Sequence, residues 1–87
     1  MKTEELLLSH YKTPIIPLAL VVQDYFRHLN VEKFLKKTLN GEIPLPVVRM
    51  ERSQKSAKGI HVTDLGAYLD RQTEAARKEC RQLSGGA

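Results

Sequence analysis

Lysine and arginine are the side chains whose grouping in this chain carries chemistry. Glu32, Lys33, Lys36 and Lys37 share the polar face of one amphipathic segment, and Arg49, Arg52, Ser53, Gln54, Lys55, Ser56 and Lys58 fill or flank a polar link between two apolar runs. From Arg27 to Lys58, eight basic residues stand against Glu32, Glu42 and Glu51, a net of +5 in a chain whose total is +4. Fixed cations concentrated in this way attract a polyanion. The remaining chemistry-bearing residues do not assemble. His10, His28 and His61 have no mutual spacing that suits a metal. Ser9-His10 and Cys80 lack an orienting third group, and no glycine-rich phosphate loop is present. Asp64 and Asp70 read as helix-surface residues rather than a facing acid pair. Neither catalysis, nor a metal site, nor a cofactor is expected.

The elements that must position these cations follow from hydrophobic spacing. Leu18, Val21, Val22, Tyr25, Phe26 and Leu29 recur at threes and fours, which predicts a first helix from Pro17, a favourable first helical residue, to about His28. Asn30 is a good N-cap for a second helix ending at Asn40-Gly41, in which Val31, Phe34, Leu35, Thr38 and Leu39 form the buried stripe. The short link between the two suits the angled packing of a helix-turn-helix. Pro44 and Pro46 exclude helix and restrict the strand Leu45 to Met50 to an edge or to a start at its prolines. Ile60 to Val62 is the expected return strand, and Thr63 the expected N-cap of a third helix. In that helix Leu65, Tyr68, Leu69 and Gln72 share a face, which Ala76, Cys80 and Leu83 prolong. The fold class expected is mainly α with a two-stranded β wing, a winged helix-turn-helix with a long C-terminal helix.

Length and composition set the limits. Eighty-seven residues make one small domain with a modest core. The longest apolar run, Pro14 to Val22, is nine residues and falls far short of the roughly 20 needed to cross a bilayer. The N-terminus is too acidic for a secretory signal, which points to a cytoplasmic protein. Cys80 is the single cysteine, so no intramolecular disulfide is expected. The division expected is an N-terminal tail over 1–14, a DNA-binding domain over 15–72 and a C-terminal helix extension with a frayed tail over 73–87. His61 is read as a surface residue at the wing base, Tyr25 and Phe26 as core, and Tyr11 as a cover for the end of the core.

The run Ile15-Ile16-Pro17-Leu18 through Asp24-Tyr25-Phe26, then Gly41-Glu42-Ile43-Pro44-Leu45-Pro46, Ser53-Gln54-Lys55, Ala57-Lys58-Gly59, and Asp64-Leu65 with Tyr68, Asp70 and Gln72, resembles the pyocin activator protein (PrtN-like) family. The resemblance covers roughly residues 15–83. It implies a small bacterial, nucleoid-associated transcription activator of phage-derived bacteriocin or prophage genes that binds promoter-proximal repeats. The wider order also resembles the MerR and excisionase-like winged helices.

On this reading Glu32, Lys33, Lys36 and Lys37 border the major groove, and Arg49, Arg52, Lys55 and Lys58 lie along the backbone or a flanking minor groove. Ser53, Gln54 and Ser56 donate to phosphates, with Gln54 and Arg52 the stronger candidates for base reading. The partners expected are double-stranded DNA, RNA polymerase, and a second copy of the chain on DNA through Leu69, Ala76, Cys80 and Leu83. Two alternatives remain open: an excisionase-like architectural protein that bends DNA, and an interaction module of the antirepressor kind whose basic face binds an acidic partner.

Overall fold

The computed structural model describes residues 1–53 and 55–85. Its elements run α1 (Thr3–Tyr11), β1 (Ile15–Pro17), α2 (Leu18–Tyr25), α3 (Val31–Leu39), β2 (Val48–Arg49), β3 (Lys58–His61) and α4 (Val62–Gly85). The sheet is antiparallel with order β1-β3-β2, so it has three strands and not the expected two. The added strand is β1, which pairs Ile16 with Ile60 and Pro17 with Gly59. Gly59 occupies the centre of this sheet, between Pro17 and Val48. A Cβ there would stand 2.6 Å from both Ile15 Cγ2 and Ile16 O, so the closeness of β1 to β3 requires a residue without a side chain.

Five elements each contribute one of the largest fully buried side chains: Ile16 from β1, Val21 from α2, Phe34 from α3, Ile60 from β3 and Leu65 from α4. Phe26 lies beside Phe34, with ring centroids 4.9 Å apart, and 5.9 Å from Tyr68. Among the described residues no buried side-chain polar atom lacks a hydrogen-bond partner.

The ends of α3 fall where the sequence places them. Asn30 Oδ1 accepts a hydrogen bond from the Lys33 amide at 2.8 Å, the N-cap geometry expected of this residue type. At the other end Glu42 N donates to Lys37 O and Gly41 N to Thr38 O, with Gly41 at φ 77, which is a Schellman closure.

Other boundaries differ. Pro17 adopts an extended ψ of 139 and is the last residue of β1, so α2 begins at Leu18. That helix stops at Tyr25 because Phe26 leaves helical geometry at φ −134, ψ 51, while its ring stays buried. Tyr25, expected in the core, is 40% exposed. The expected strand Leu45 to Met50 shortens to Val48–Arg49. Ahead of it Ile43 and Leu45 are buried while Pro44 and Pro46 are exposed, a strand-like alternation in which the prolines have no N–H to give to a ladder.

The return strand starts at Lys58 and ends at His61, so Val62 already belongs to α4. Thr63 is therefore inside the first turn and not at its cap. His61 Nδ1 accepts from the Thr63 amide at 3.1 Å, and the Thr63 hydroxyl donates to Glu4 Oε2 at 2.8 Å.

Residues 3–11, expected within a tail, form α1, which packs on α4. Leu7 enters the core, and the Thr3 hydroxyl donates to Asp70 Oδ1 at 2.5 Å. The Tyr11 hydroxyl donates to the Asp24 carboxylate and ties α1 to α2. Burial pushes the Tyr11 phenol well above its usual range, and the Asp24 hydrogen bond acts in the same direction. The C-terminal part of α4 leaves the domain body, with residues 71–84 all exposed. No helix among the described residues is long and apolar enough to cross a membrane.

Candidate nucleic-acid interface

The amphipathic pattern of α3 turns Phe34 into the core and leaves Glu32, Lys33 and Lys36 in solvent. Lys37 behaves differently. It is half-buried, and its ammonium lies 3.5 Å from Glu42 Oε1, a carboxylate delivered by the chain reversal at Gly41. Of the three lysines assigned to this helix face, two point into solvent and the third shares its charge with a neighbour.

The predicted stripe of α3 is only partly buried. Phe34 is fully enclosed, and Leu35 is packed partly against the core. Val31, however, is 37% exposed and Leu39 is 74% exposed. Val31 and Leu35 line a groove of about 360 Å³ whose other walls are Pro17 to Ala19 and the wing residues Ser56, Ala57 and Lys58. The groove makes α3 and the wing two sides of one surface.

The link from β2 to β3 is the segment expected to be the wing. Met50 N donates to Ala57 O at 3.0 Å, and inside that closure Ser56 N donates to Ser53 O at 3.1 Å. The Ser56 hydroxyl donates to Glu51 O at 2.9 Å and is spent within the loop, while Ser53 Oγ accepts from Lys55 N at 3.1 Å and keeps its own proton to donate. These internal bonds hold the wing in shape with Arg49, Arg52 and Lys55 exposed. Lys58 is half-buried, and its ammonium donates to Ser56 O at 3.3 Å. The register places Arg49 opposite Lys58, a like-charge cross-strand pair of the kind that weakens a hairpin. Gln54, a candidate for base reading, lies outside the described residues.

Lys33 and Lys36 are exposed on α3, and Arg49, Arg52 and Lys55 on the β2–β3 hairpin, the two elements that contribute to the walls of this shallow, largely apolar groove. Sequence reasoning missed that groove. Val31 and Leu39 matched a helical period and so read as core, and the signal against that reading was the width of the stripe, which exceeds what one short helix can bury against its neighbours. The proposed self-association residues are spread out: Leu69 packs against the core, whereas Ala76, Cys80 and Leu83 are exposed on the projecting part of α4. Among the described residues no group of three His, Cys, Asp or Glu side chains is placed to hold a metal ion.

A family model described as pyocin activator protein PrtN matches residues 3–76, which takes in every element from α1 to the middle of α4. No curated protein and no solved structure matches the chain.

Proposed function

The chain belongs to the pyocin activator protein family, and on that basis we propose that it is a sequence-specific DNA-binding activator that switches on phage-derived bacteriocin or prophage genes. The element order helix, strand, helix, helix, strand, loop, strand supports a winged helix-turn-helix, with α2 and α3 as the helix pair and the Met50 to Ala57 link as the wing. In such a domain the second helix of the pair enters the major groove and the flanking loop tracks the backbone. Lys33 and Lys36 then border the groove, and Arg49, Arg52 and Lys55 neutralise phosphates; contacts of the second kind set register and affinity and leave specificity to base edges.

The observation that carries this reading is that five exposed cations stand on α3 and the β2–β3 hairpin, two elements that wall one groove. A surface of that shape fits a polyanion wide enough to touch helix and wing together, as a duplex is. The groove's lining is mostly apolar, and its hydroxyl, that of Ser56, donates to Glu51 O.

Self-association on DNA belongs to this proposal, because a single small domain contacts little duplex and specific sites are commonly bound by two or more. Reconstituted transcription from a bacteriocin-type promoter, with RNA polymerase and increasing amounts of the chain, tests the function. Transcript rising with protein, and failing to rise with a Lys33→Ala/Lys36→Ala variant, is the expected result. DNA bending without any rise in transcript would replace activation by an architectural, excisionase-like role.

A further inference from the structure

We propose that Ser56 is a positioning residue for DNA binding, whose hydrogen bonds hold the β2–β3 link in one shape before a duplex arrives, so that Arg52 and Lys55 need little ordering to reach phosphates. The inference rests on the DNA-binding reading above. It gives Ser56 a role through its neighbours, where residue type alone suggested a direct phosphate contact.

It begins from what the link lacks. From Glu51 to Lys58 the only apolar residue is Ala57, so burial of side chains has little with which to fix this stretch against the core. At the base of the link Arg49 stands opposite Lys58, and like charges directly opposite weaken a hairpin. Hydrogen bonds within the link are left to set its shape.

Ser56 engages all three of its polar groups in them. Its amide donates to Ser53 O at 3.1 Å, its hydroxyl donates to Glu51 O at 2.9 Å, and its carbonyl accepts from the Lys58 ammonium at 3.3 Å. Glu51 and Ser53 lie on the arm that leaves β2 and Ser56 on the arm that enters β3, so this one residue ties the two arms together. Ser53 Oγ adds a bond beside it by accepting from Lys55 N at 3.1 Å. Ser56 itself is half-buried and lines the groove beside α3, whereas Arg52 and Lys55 are exposed. The residue that shapes the link is thus distinct from the cations that a duplex would meet. Ordering a flexible stretch on binding costs conformational entropy, and a stretch already ordered in the free protein avoids that cost. A substitution that loosens the link therefore weakens binding without removing a charge.

The test compares Ser56→Ala and Ser56→Thr with the wild type. Fluorescence anisotropy against the upstream intergenic duplex is recorded at several salt concentrations, and the mobility of the amides from Glu51 to Ala57 is measured in the free proteins by NMR relaxation. Ser56→Ala is expected to bind about five-fold more weakly, with log K against log salt parallel to the wild type because no cation is lost, and with more mobile link amides. Ser56→Thr keeps the hydroxyl and is expected to match the wild type in both readouts. Equal thermal midpoints of the three proteins show that the fold is intact. Equal affinity of Ser56→Ala and the wild type would overturn the inference and leave DNA binding standing. Weaker binding by Ser56→Ala with link amides as rigid as those of the wild type would also overturn it and make Ser56 a direct contact. Failure of the wild type to bind the duplex would overturn the DNA-binding reading itself, whatever the mobility of the link.

Discussion

Lys36 and Lys37 are neighbours of one residue type with different surroundings, and their difference is testable. Lys36 is exposed on the outer side of α3, whereas Lys37 is held 3.5 Å from Glu42 Oε1. That pair lies near the surface, with the two side chains 40% and 56% exposed, so its worth to folding is no more than about 1 kcal/mol. Lys36→Ala is expected to weaken DNA binding uniformly across sequences and reduce the salt slope by about one, and Lys37→Ala to change the slope by much less; anisotropy titrations at several salt concentrations separate the two. Tyr11 carries a prediction of another kind. Its folded pKa is raised, by burial first and by the Asp24 hydrogen bond next. A group shifted in this direction contributes stability that is complete below its unfolded pKa of about 10 and is lost as pH rises above it. Wild-type stability should therefore fall above about pH 10, and Tyr11→Phe should flatten that alkaline decline in urea melts recorded as a function of pH. Spacing and type identified the exposed cations. They could not show that Glu42 would return to Lys37, because that contact depends on the reversal at Gly41.

At the scale of elements, what could be read locally was read well, and what depended on distant pairing was not. The bounds of α3 were legible because Asn30 and Asn40-Gly41 act within the chain next to them. The strand β1 was not, since Ile15-Ile16-Pro17 runs without a break into an apolar helix and its partner β3 lies more than 40 residues further along. The same holds for α1, whose Leu6, Leu7 and Leu8 gave no position until α4 supplied a surface for Leu7. Thr63 was misplaced as a cap because the return strand begins and ends earlier than its apolar residues suggest. Gly59 is where the β1 to β3 pairing is most exposed to mutation. Gly59→Ala must displace Ile15 or the backbone of Ile16, and overpacking of this sort costs about 1–3 kcal/mol; a lower urea midpoint with an unchanged slope is the expected readout. The exposed half of α4 makes the opposite prediction. Truncation after Gln72 removes residues with no share in the core, so the unfolding free energy should stay within about 0.5 kcal/mol. If α4 joins subunits on DNA, the same truncation should abolish cooperative binding to repeated sites while single-site affinity persists.

For the molecule as a whole, positive charge and core are segregated. The cations Lys33, Lys36, Arg49, Arg52 and Lys55 are exposed, while α1 packs on α4 with Leu7 and Leu65 in the core and the Thr3–Asp70 and Thr63–Glu4 hydrogen bonds between them. The family match begins at Thr3 and so takes in α1. Under the proposed function the exposed cations of α3 and the β2–β3 hairpin meet a duplex and the projecting end of α4 is left for another subunit. If the five exposed cations of α3 and the β2–β3 hairpin each neutralise a phosphate, the slope of log K against log salt is about −4.5. The most direct measurement is an anisotropy titration of the full chain against its own upstream intergenic DNA and a scrambled duplex, at about 50 and 200 mM salt. A preference for the upstream sequence, with affinity falling roughly 500-fold between those two salts, is the predicted result. Weak binding that is indifferent to both sequence and salt would contradict the account and return the basic face to a protein partner.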